Sequence, residues 1–92
     1  MNVYKEKIVE VLKKDGEYNG NPYHNFNLVT ICYDEKGFAR LCDFKSYRFN
    51  QSDLKNVTGF DRPEDLIGLC IKVPYFNKFG KLVGIDYGEM ED

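Results

Sequence analysis

The pattern between positions 71 and 87 constrains the fold more than any other stretch, because it predicts a β-hairpin together with its register. Asn77-Lys78-Phe79-Gly80 has the composition of a three-residue hairpin loop in which Gly80 takes the left-handed conformation. Pairing Asn77 with Lys81 then places Ile71 opposite Tyr87. One face becomes wholly apolar, with Ile71, Val73, Tyr75, Val83, Ile85 and Tyr87. Such a face must pack on another element.

A second hairpin is predicted from the same turn pattern, which recurs at Asp34-Glu35-Lys36-Gly37. Pairing Asp34 with Phe38 joins residues 26–34 to residues 38–44. The predicted core face holds Val29, Ile31, Tyr33, Ala39 and Leu41, and the predicted half-exposed face holds Thr30, Cys32, Arg40, Cys42 and Phe44. A two-residue turn would shift the partners, so this alternative register stays open.

Residues 2–15 have the spacing of an amphipathic helix. The apolar residues Tyr4, Ile8, Val11 and Leu12 fall on one helical stripe, Asn2 is a suitable N-cap, and Asp15-Gly16 ends the pattern. A helix of three turns is not stable alone and must dock on the sheet. Residues 16–26 are then predicted to form a loop, with turns at Asn19-Gly20 and Asn21-Pro22.

Short helical turns are predicted between the two hairpins. Ser52 can cap a turn that ends at Gly59, and Asp61-Arg62-Pro63-Glu64 has the pattern of a capping box. Pro74 cannot donate to a strand ladder, so its strand is predicted to be bulged or at a sheet edge.

These elements predict an α+β, mostly β fold, in which an N-terminal helix and two β-hairpins form a small curved sheet or an OB/SH3-like barrel. An open four-stranded sheet with the helix on one face is the competing arrangement. Residues 1–88 are predicted to form a single small domain, followed by the acidic tail 89–92.

Composition excludes several classes of protein. A hydrophobic content of 42% and a charged content of 30% are typical of a globular domain. No apolar run is long enough for a membrane span, and the charged N-terminus has no secretory core, so we expect no membrane contact and a cytoplasmic location. The tail holds three of the 15 acidic residues, which leaves 13 basic and 12 acidic residues elsewhere. This balance is too even for nucleic-acid binding by bulk charge.

No catalytic or cofactor motif is present. The chain has one histidine, two serines outside any glycine-rich elbow, and no phosphate-binding G-x-x-x-x-G-K run, so we expect neither an enzyme nor a cofactor. The three cysteines Cys32, Cys42 and Cys70 lack the spacing of a zinc site and are predicted to be buried, reduced thiols.

Residues 44–49 interleave rings with cations, a pattern that favours sequence-tolerant binding of single strands. Here Tyr47 and Phe49 would stack on bases while Lys45 and Arg48 contact phosphates. The alternative is that these rings alternate between core and ordinary surface positions. The last hairpin adds Phe79 at its turn together with Lys72, Lys78 and Lys81. Rings with polar atoms at Tyr23 and His24 suit a nucleic-acid or a protein interface equally.

One stretch resembles a known family. Asp65-Leu66-Ile67-Gly68-Leu69 before Ile71-Lys72-Val73, followed by Gly80 and Val83-Gly84-Ile85, is similar to a pattern of small OB-type single-stranded-DNA-binding proteins of phages and conjugative elements. Asn21-Pro22-Tyr23-His24-Asn25-Phe26 before a strand adds to the similarity. The resemblance implies an OB-like barrel that binds single strands.

Two functional hypotheses follow. The first is a non-enzymatic binding module, of a phage or mobile element, that engages single-stranded nucleic acid by aromatic stacking. The alternative is a protein-interaction module, such as a small phage-encoded inhibitor or an accessory subunit acting on a host enzyme or defence complex. A homodimer formed through the Pro74 strand is compatible with both.

Overall fold

A computed structural model of the protein describes residues 5–33, 39–41 and 47–88. In this part of the chain six strands form one antiparallel sheet: β1 (Lys5–Tyr18), β2 (Asn21–Tyr33), β3 (Ala39–Leu41), β4 (Tyr47–Asn50), β5 (Cys70–Phe76) and β6 (Leu82–Gly88). Their order is β3-β2-β1-β5-β6, and β4 also pairs with β2. Helix α1 (Leu54–Thr58) follows the 3₁₀ turn Gln51–Asp53, and the 3₁₀ turn Pro63–Leu66 precedes β5. None of the helices described here has the length and apolarity that crossing a membrane requires.

The long hairpin of β1 and β2 replaces the predicted N-terminal helix. Its pairs run from Lys5 with Tyr33 to Tyr18 with Asn21. Asn19 and Gly20 join the strands with φ values of 51° and 80°, as a two-residue hairpin turn requires. The prediction of a helix over residues 2–15 is therefore wrong for residues 5–15, and residues 2–4 lie outside the described chain. The predicted loop 16–26 is strand except at the turn.

A bulge in β1 explains the wrong prediction. The register shifts between Ile8, which lies opposite Thr30, and Glu10. Val11 then lies opposite Leu28. The extra residue brings Ile8 and Val11 to the same face of the sheet although they are three positions apart, which is also the spacing of one helical turn. The apolar pattern therefore fits either element.

The outer edge of β2 pairs with two strands, β3 near its end and β4 near its middle. Tyr33 lies opposite Ala39, so the predicted register is confirmed here, although the turn 34–37 lies outside the described residues. The predicted faces are wrong, because Thr30 and Cys32 are buried whereas Val29 and Ile31 are half-buried. Cys32 is also disulfide-bonded, so the prediction of a reduced thiol is wrong for this residue.

The C-terminal hairpin confirms the predicted turn. The Asn77 N–H donates to the Lys81 carbonyl at 2.9 Å, and Gly80 has a φ of 79°. Ile71 lies opposite Tyr87, as predicted, and Phe76 lies opposite Leu82, as the pairing of Asn77 with Lys81 requires.

Irregularities in each strand change the middle of this hairpin. They place Val73 opposite Asp86, one residue away from the predicted partner. Val73, Tyr75 and Val83 are exposed as a result, and only part of the predicted apolar face packs inward. β5 pairs with β1 only at Cys70 and Ile71, so Pro74 has no partner on that side among the described residues, and the register shifts between Ile71 and Val73. The prediction of a bulged or edge strand at Pro74 is therefore confirmed, and the homodimer through this strand stays a prediction.

The core lies against one face of the sheet. It consists of Ile8, Leu28, Tyr47, Phe49, Leu54, Val57, Leu66, Ile71 and Leu82. Helix α1 packs against β6 and ends at Gly59, as predicted, but neither Ser52 nor Asp61 caps a helical turn.

β6 approaches β4 without a ladder between them, so the sheet is open. The predicted fold class is therefore wrong in two respects, because the described residues contain no N-terminal helix and no closed barrel.

A buried carboxylate lies in this core. Glu6 on β1 accepts hydrogen bonds from the Tyr47 hydroxyl of β4 and, at 3.3 Å, from the Thr30 hydroxyl of β2. Burial and the adjacent Glu6 carboxylate raise the pKa of Tyr47 well above its ordinary value. Tyr47 therefore stays protonated as the donor that satisfies Glu6.

We expect Tyr47→Phe to lower the free energy of unfolding by about 1–3 kcal/mol, because it leaves a buried carboxylate without its main donor. Urea unfolding measures the change. Tyr75→Phe is the matched control, since the Tyr75 hydroxyl donates to Asp86 at an exposed site. We expect no measurable loss there, and equal losses in the two variants would contradict a specific role for the buried bond.

Candidate functional site

A groove of about 480 Å³ lies on β1, β2 and β4. Three cations, two tyrosine rings and two amides line it: Lys14, Arg48, Lys81, Tyr18, Tyr23, Asn25 and Asn27. We call it the cationic groove. None of its lining residues is acidic, although the chain as a whole has a net charge of −2. The groove therefore concentrates positive charge that the overall composition does not reveal.

The strand register brings these side chains to one face. Lys14 pairs with Asn25, and Asn27 pairs with Arg48 on β4. The alternate residues of the same strands, including Leu28 and Phe49, point into the core. The groove and the core are thus opposite faces of the same strands.

Gly16 fixes the position of the Tyr23 ring. The two residues pair across the hairpin, and a Cβ atom at position 16 would overlap the end of the tyrosine ring. The missing side chain lets the ring lie across β1. Tyr23 keeps 42% of its surface exposed and Tyr18 keeps 73%, so both rings are accessible.

The end of the turn between β5 and β6 contributes Lys81 to the groove. The Asn77 Oδ1 atom accepts hydrogen bonds from the backbone N–H groups of Phe79 at 2.9 Å and Lys81 at 3.0 Å, which fixes the turn. The Lys81 Nζ atom donates to the Asn50 Oδ1 atom of β4 at 3.1 Å. The Phe79 ring is 71% exposed, and the Lys78 Nζ atom lies 5.2 Å from its centre.

A set of polar contacts involves Asp15 and His24 of the β1–β2 hairpin and Gln51 after β4. The Asp15 Oδ1 atom lies 2.7 Å from the His24 Nδ1 atom and accepts a hydrogen bond from Gln51 at 3.0 Å. Gln51 also donates to the Asn25 carbonyl at 3.3 Å. These bonds tie the β1–β2 hairpin to the turn after β4. His24 belongs to this contact and does not line the groove.

The predicted site residues fall into three groups. Tyr23, Arg48 and Lys81 meet in the cationic groove, with Phe79 and Lys78 on the adjoining turn. Lys72, in β5, lies beside Gly88 of β6 and does not line the groove. Lys45 lies outside the described residues.

Tyr47 and Phe49 form the third group, and each is only 1% exposed. Tyr47 stacks on Phe76 with ring centres 5.8 Å apart, and Phe49 meets Phe26 edge-on at 5.9 Å. Neither ring can present a face to a base without leaving the core. The alternative interpretation of residues 44–49, in which some of the rings belong to the core, agrees with the burial of Tyr47 and Phe49.

Sequence reasoning missed four residues of the groove: Lys14, Tyr18, Asn25 and Asn27. The predicted helix and loop separated Lys14 from the others. Asn19-Gly20 between two runs of alternating polarity was the signal that could have joined them, because this dipeptide is strongly favoured in two-residue hairpin turns.

Comparisons of the chain with protein-family models, curated proteins and solved structures found no match. Within the described residues, no group of three or more histidine, cysteine or acidic side chains could hold a metal ion. The residues that line the cationic groove are therefore the main indication of function.

The Asp15 carboxyl should titrate below its ordinary pKa of 3.8, chiefly because of its hydrogen bond with His24. Since the pKa is lowered in the folded state, the contribution of this contact to stability is present above pH 3.8 and is lost as the pH falls through the lowered value. Carboxyl carbon NMR measures the titration. His24→Ala should move the Asp15 midpoint back towards 3.8, and an unchanged midpoint would contradict the assigned cause.

Proposed function

We propose that the protein is a non-enzymatic binding module that engages single-stranded nucleic acid in the cationic groove. The main support for this proposal is the lining of the groove. Lys14, Arg48 and Lys81 line it together with two exposed tyrosine rings, and none of its lining residues is acidic. Cations along a groove attract the phosphate backbone, and rings beside them stack on bases. The groove supplies both requirements.

The rings favour a single strand over a duplex. Base faces inside a duplex are covered by neighbouring base pairs, whereas a single strand can place them on Tyr18 and Tyr23. Stacking on an aromatic ring is worth roughly 1–3 kcal/mol per base. This contribution allows binding with only three local cations.

The proposed interactions, stacking on bases and cations on phosphates, are those expected from the sequence, but some of the residues that make them differ. Tyr18 and Tyr23 take the stacking role expected of Tyr47 and Phe49, which are buried. Arg48 and Lys81 keep the predicted role of phosphate contacts, and Lys14 joins them.

A protein-interaction module is the second candidate, and the exposed apolar residues of the last hairpin favour it. Val73, Tyr75 and Val83 are exposed on β5 and β6, and exposed apolar patches often mark protein interfaces. The cationic groove is the more specific feature, so nucleic acid is the leading proposal.

A cytoplasmic location is proposed together with this function. The disulfide bond of Cys32 weighs against it, because disulfides are rare in reducing compartments. The redox state of Cys32 in the cells that make the protein would decide the question.

A fluorescently labelled oligo-dT of about 12 nucleotides should bind saturably, and its affinity should fall as salt rises from about 50 to 200 mM. Alanine at Lys14, Arg48 or Lys81 should weaken binding by about fivefold each. Each loss should also reduce the slope of log affinity against log salt by about 0.7, as expected for one phosphate contact with a single strand. Fluorescence anisotropy measures both quantities.

Lys55→Ala is the matched control for charge, because Lys55 is an exposed cation on α1 outside the groove. It should leave affinity unchanged. An equal loss in Lys55→Ala would indicate non-specific attraction, and the absence of binding at low salt would contradict the proposal.

Gly16→Ala tests the ring contact separately. The added methyl group should displace the Tyr23 ring and weaken binding by about fivefold without removing the ring or a charge. Alanine is at least as favourable as glycine in a strand, so the fold should persist. Thermal unfolding followed by circular dichroism verifies the fold, and undiminished affinity in a folded Gly16→Ala protein would exclude Tyr23 from the interface.

A further inference from the structure

A second groove, of about 610 Å³, lies where the sheet fails to close between β4 and β6. We call it the seam groove. Its floor is formed by the core residues Phe49, Val57 and Leu82, and the exposed Phe79 ring lies at its rim. This volume is in the range of sites that take small organic molecules. An apolar floor with a ring at the rim suits a flat aromatic group.

Polar atoms surround this apolar floor. Asn50 and Asn56 line the groove, and the Asn50 Oδ1 atom is already occupied by Lys81, which leaves its amide N–H groups as donors. No hydrogen-bond partner for the Asn56 side chain lies within the described chain. The edge of a flat ring could therefore meet both donors and acceptors here.

Asp53 distinguishes this groove from the cationic groove. Asp53 lines the seam groove, and a carboxylate there repels phosphate and accepts hydrogen bonds from neutral or cationic donors. The cationic groove has three cations and no acidic lining residue, whereas the seam groove has Lys81 and Asp53, so a phosphate is less favoured in the seam groove. A nucleobase bearing an exocyclic amino group has the complementary chemistry, since its ring is apolar and its amino group donates.

The two grooves share Lys81. This residue lines both of them, and its Nζ atom donates to Asn50, which lines the seam groove. A strand whose phosphates contact Lys81 would thus have its neighbouring base at the entrance of the seam groove.

We infer that one base of a strand bound in the cationic groove enters the seam groove, where it packs against Phe79 and donates its exocyclic amino group to Asp53. This inference rests on the proposed function and adds a base preference to it. Cytosine carries such an amino group, whereas thymine presents a carbonyl oxygen at the same position. Oligo-dC should therefore bind more tightly than oligo-dT.

Anisotropy titrations with labelled oligo-dC and oligo-dT of about 12 nucleotides, at pH near 7.5, test the inference. The wild-type protein should bind oligo-dC about fivefold or more tightly than oligo-dT. Asp53→Asn removes the negative charge and should bring the two affinities to within about twofold of each other. Asp61→Asn, at an exposed carboxylate outside the groove, should keep the wild-type ratio.

The outcomes separate this inference from the proposed function. Equal, saturable binding of both oligonucleotides by the wild-type protein would overturn the inference and leave the proposed function standing. An unchanged ratio in Asp53→Asn would overturn the assignment of the amino group to Asp53. Failure of both oligonucleotides to bind at low salt would overturn both proposals.

Discussion

The antiparallel pairing of β1 with β2 is the interaction on which the rest of the structure depends. Its ladder joins Lys5–Tyr18 to Asn21–Tyr33 through the Asn19-Gly20 turn. One face of the hairpin contributes Ile8 and Leu28 to the core, and the other contributes much of the cationic groove. A contact that stabilises the hairpin therefore also sets the spacing of the cations and rings on its other face.

The parts of the fold that could be predicted are those fixed by local turn chemistry. Gly80 and Gly59 take positive φ values where the sequence placed a hairpin loop and the end of a helical turn. The pairing of Tyr33 with Ala39 also follows from its predicted turn. Two of the parts that failed depend on the exact position of a bulge. The bulge after Ile8 gave a strand the apolar spacing of a helix, and those in the last hairpin moved Val73 and Tyr75 outward.

The candidate site was predictable in its chemistry and less so in its residues. Arg48, Lys81 and Tyr23 were identified because rings and cations lie near each other in the sequence, and the strand register happens to bring them together. The same reasoning chose Tyr47 and Phe49, which are buried because alternate residues of β4 face the core. Lys14 could not be assigned without the register of β1, since its neighbours in the groove come from β2 and β4.

The buried Glu6 carboxylate has a consequence for how the chain chooses among alternative strand pairings. Alternation of apolar and polar residues penalises a slip of β1 by one residue, because every side chain would change face. A slip by two residues preserves the faces and escapes that penalty. It would nevertheless move Glu6 away from Tyr47 and Thr30 and bury an unsatisfied charge. Glu6 therefore disfavours hairpins in which β1 has slipped by two residues, which the hydrophobic pattern alone would allow.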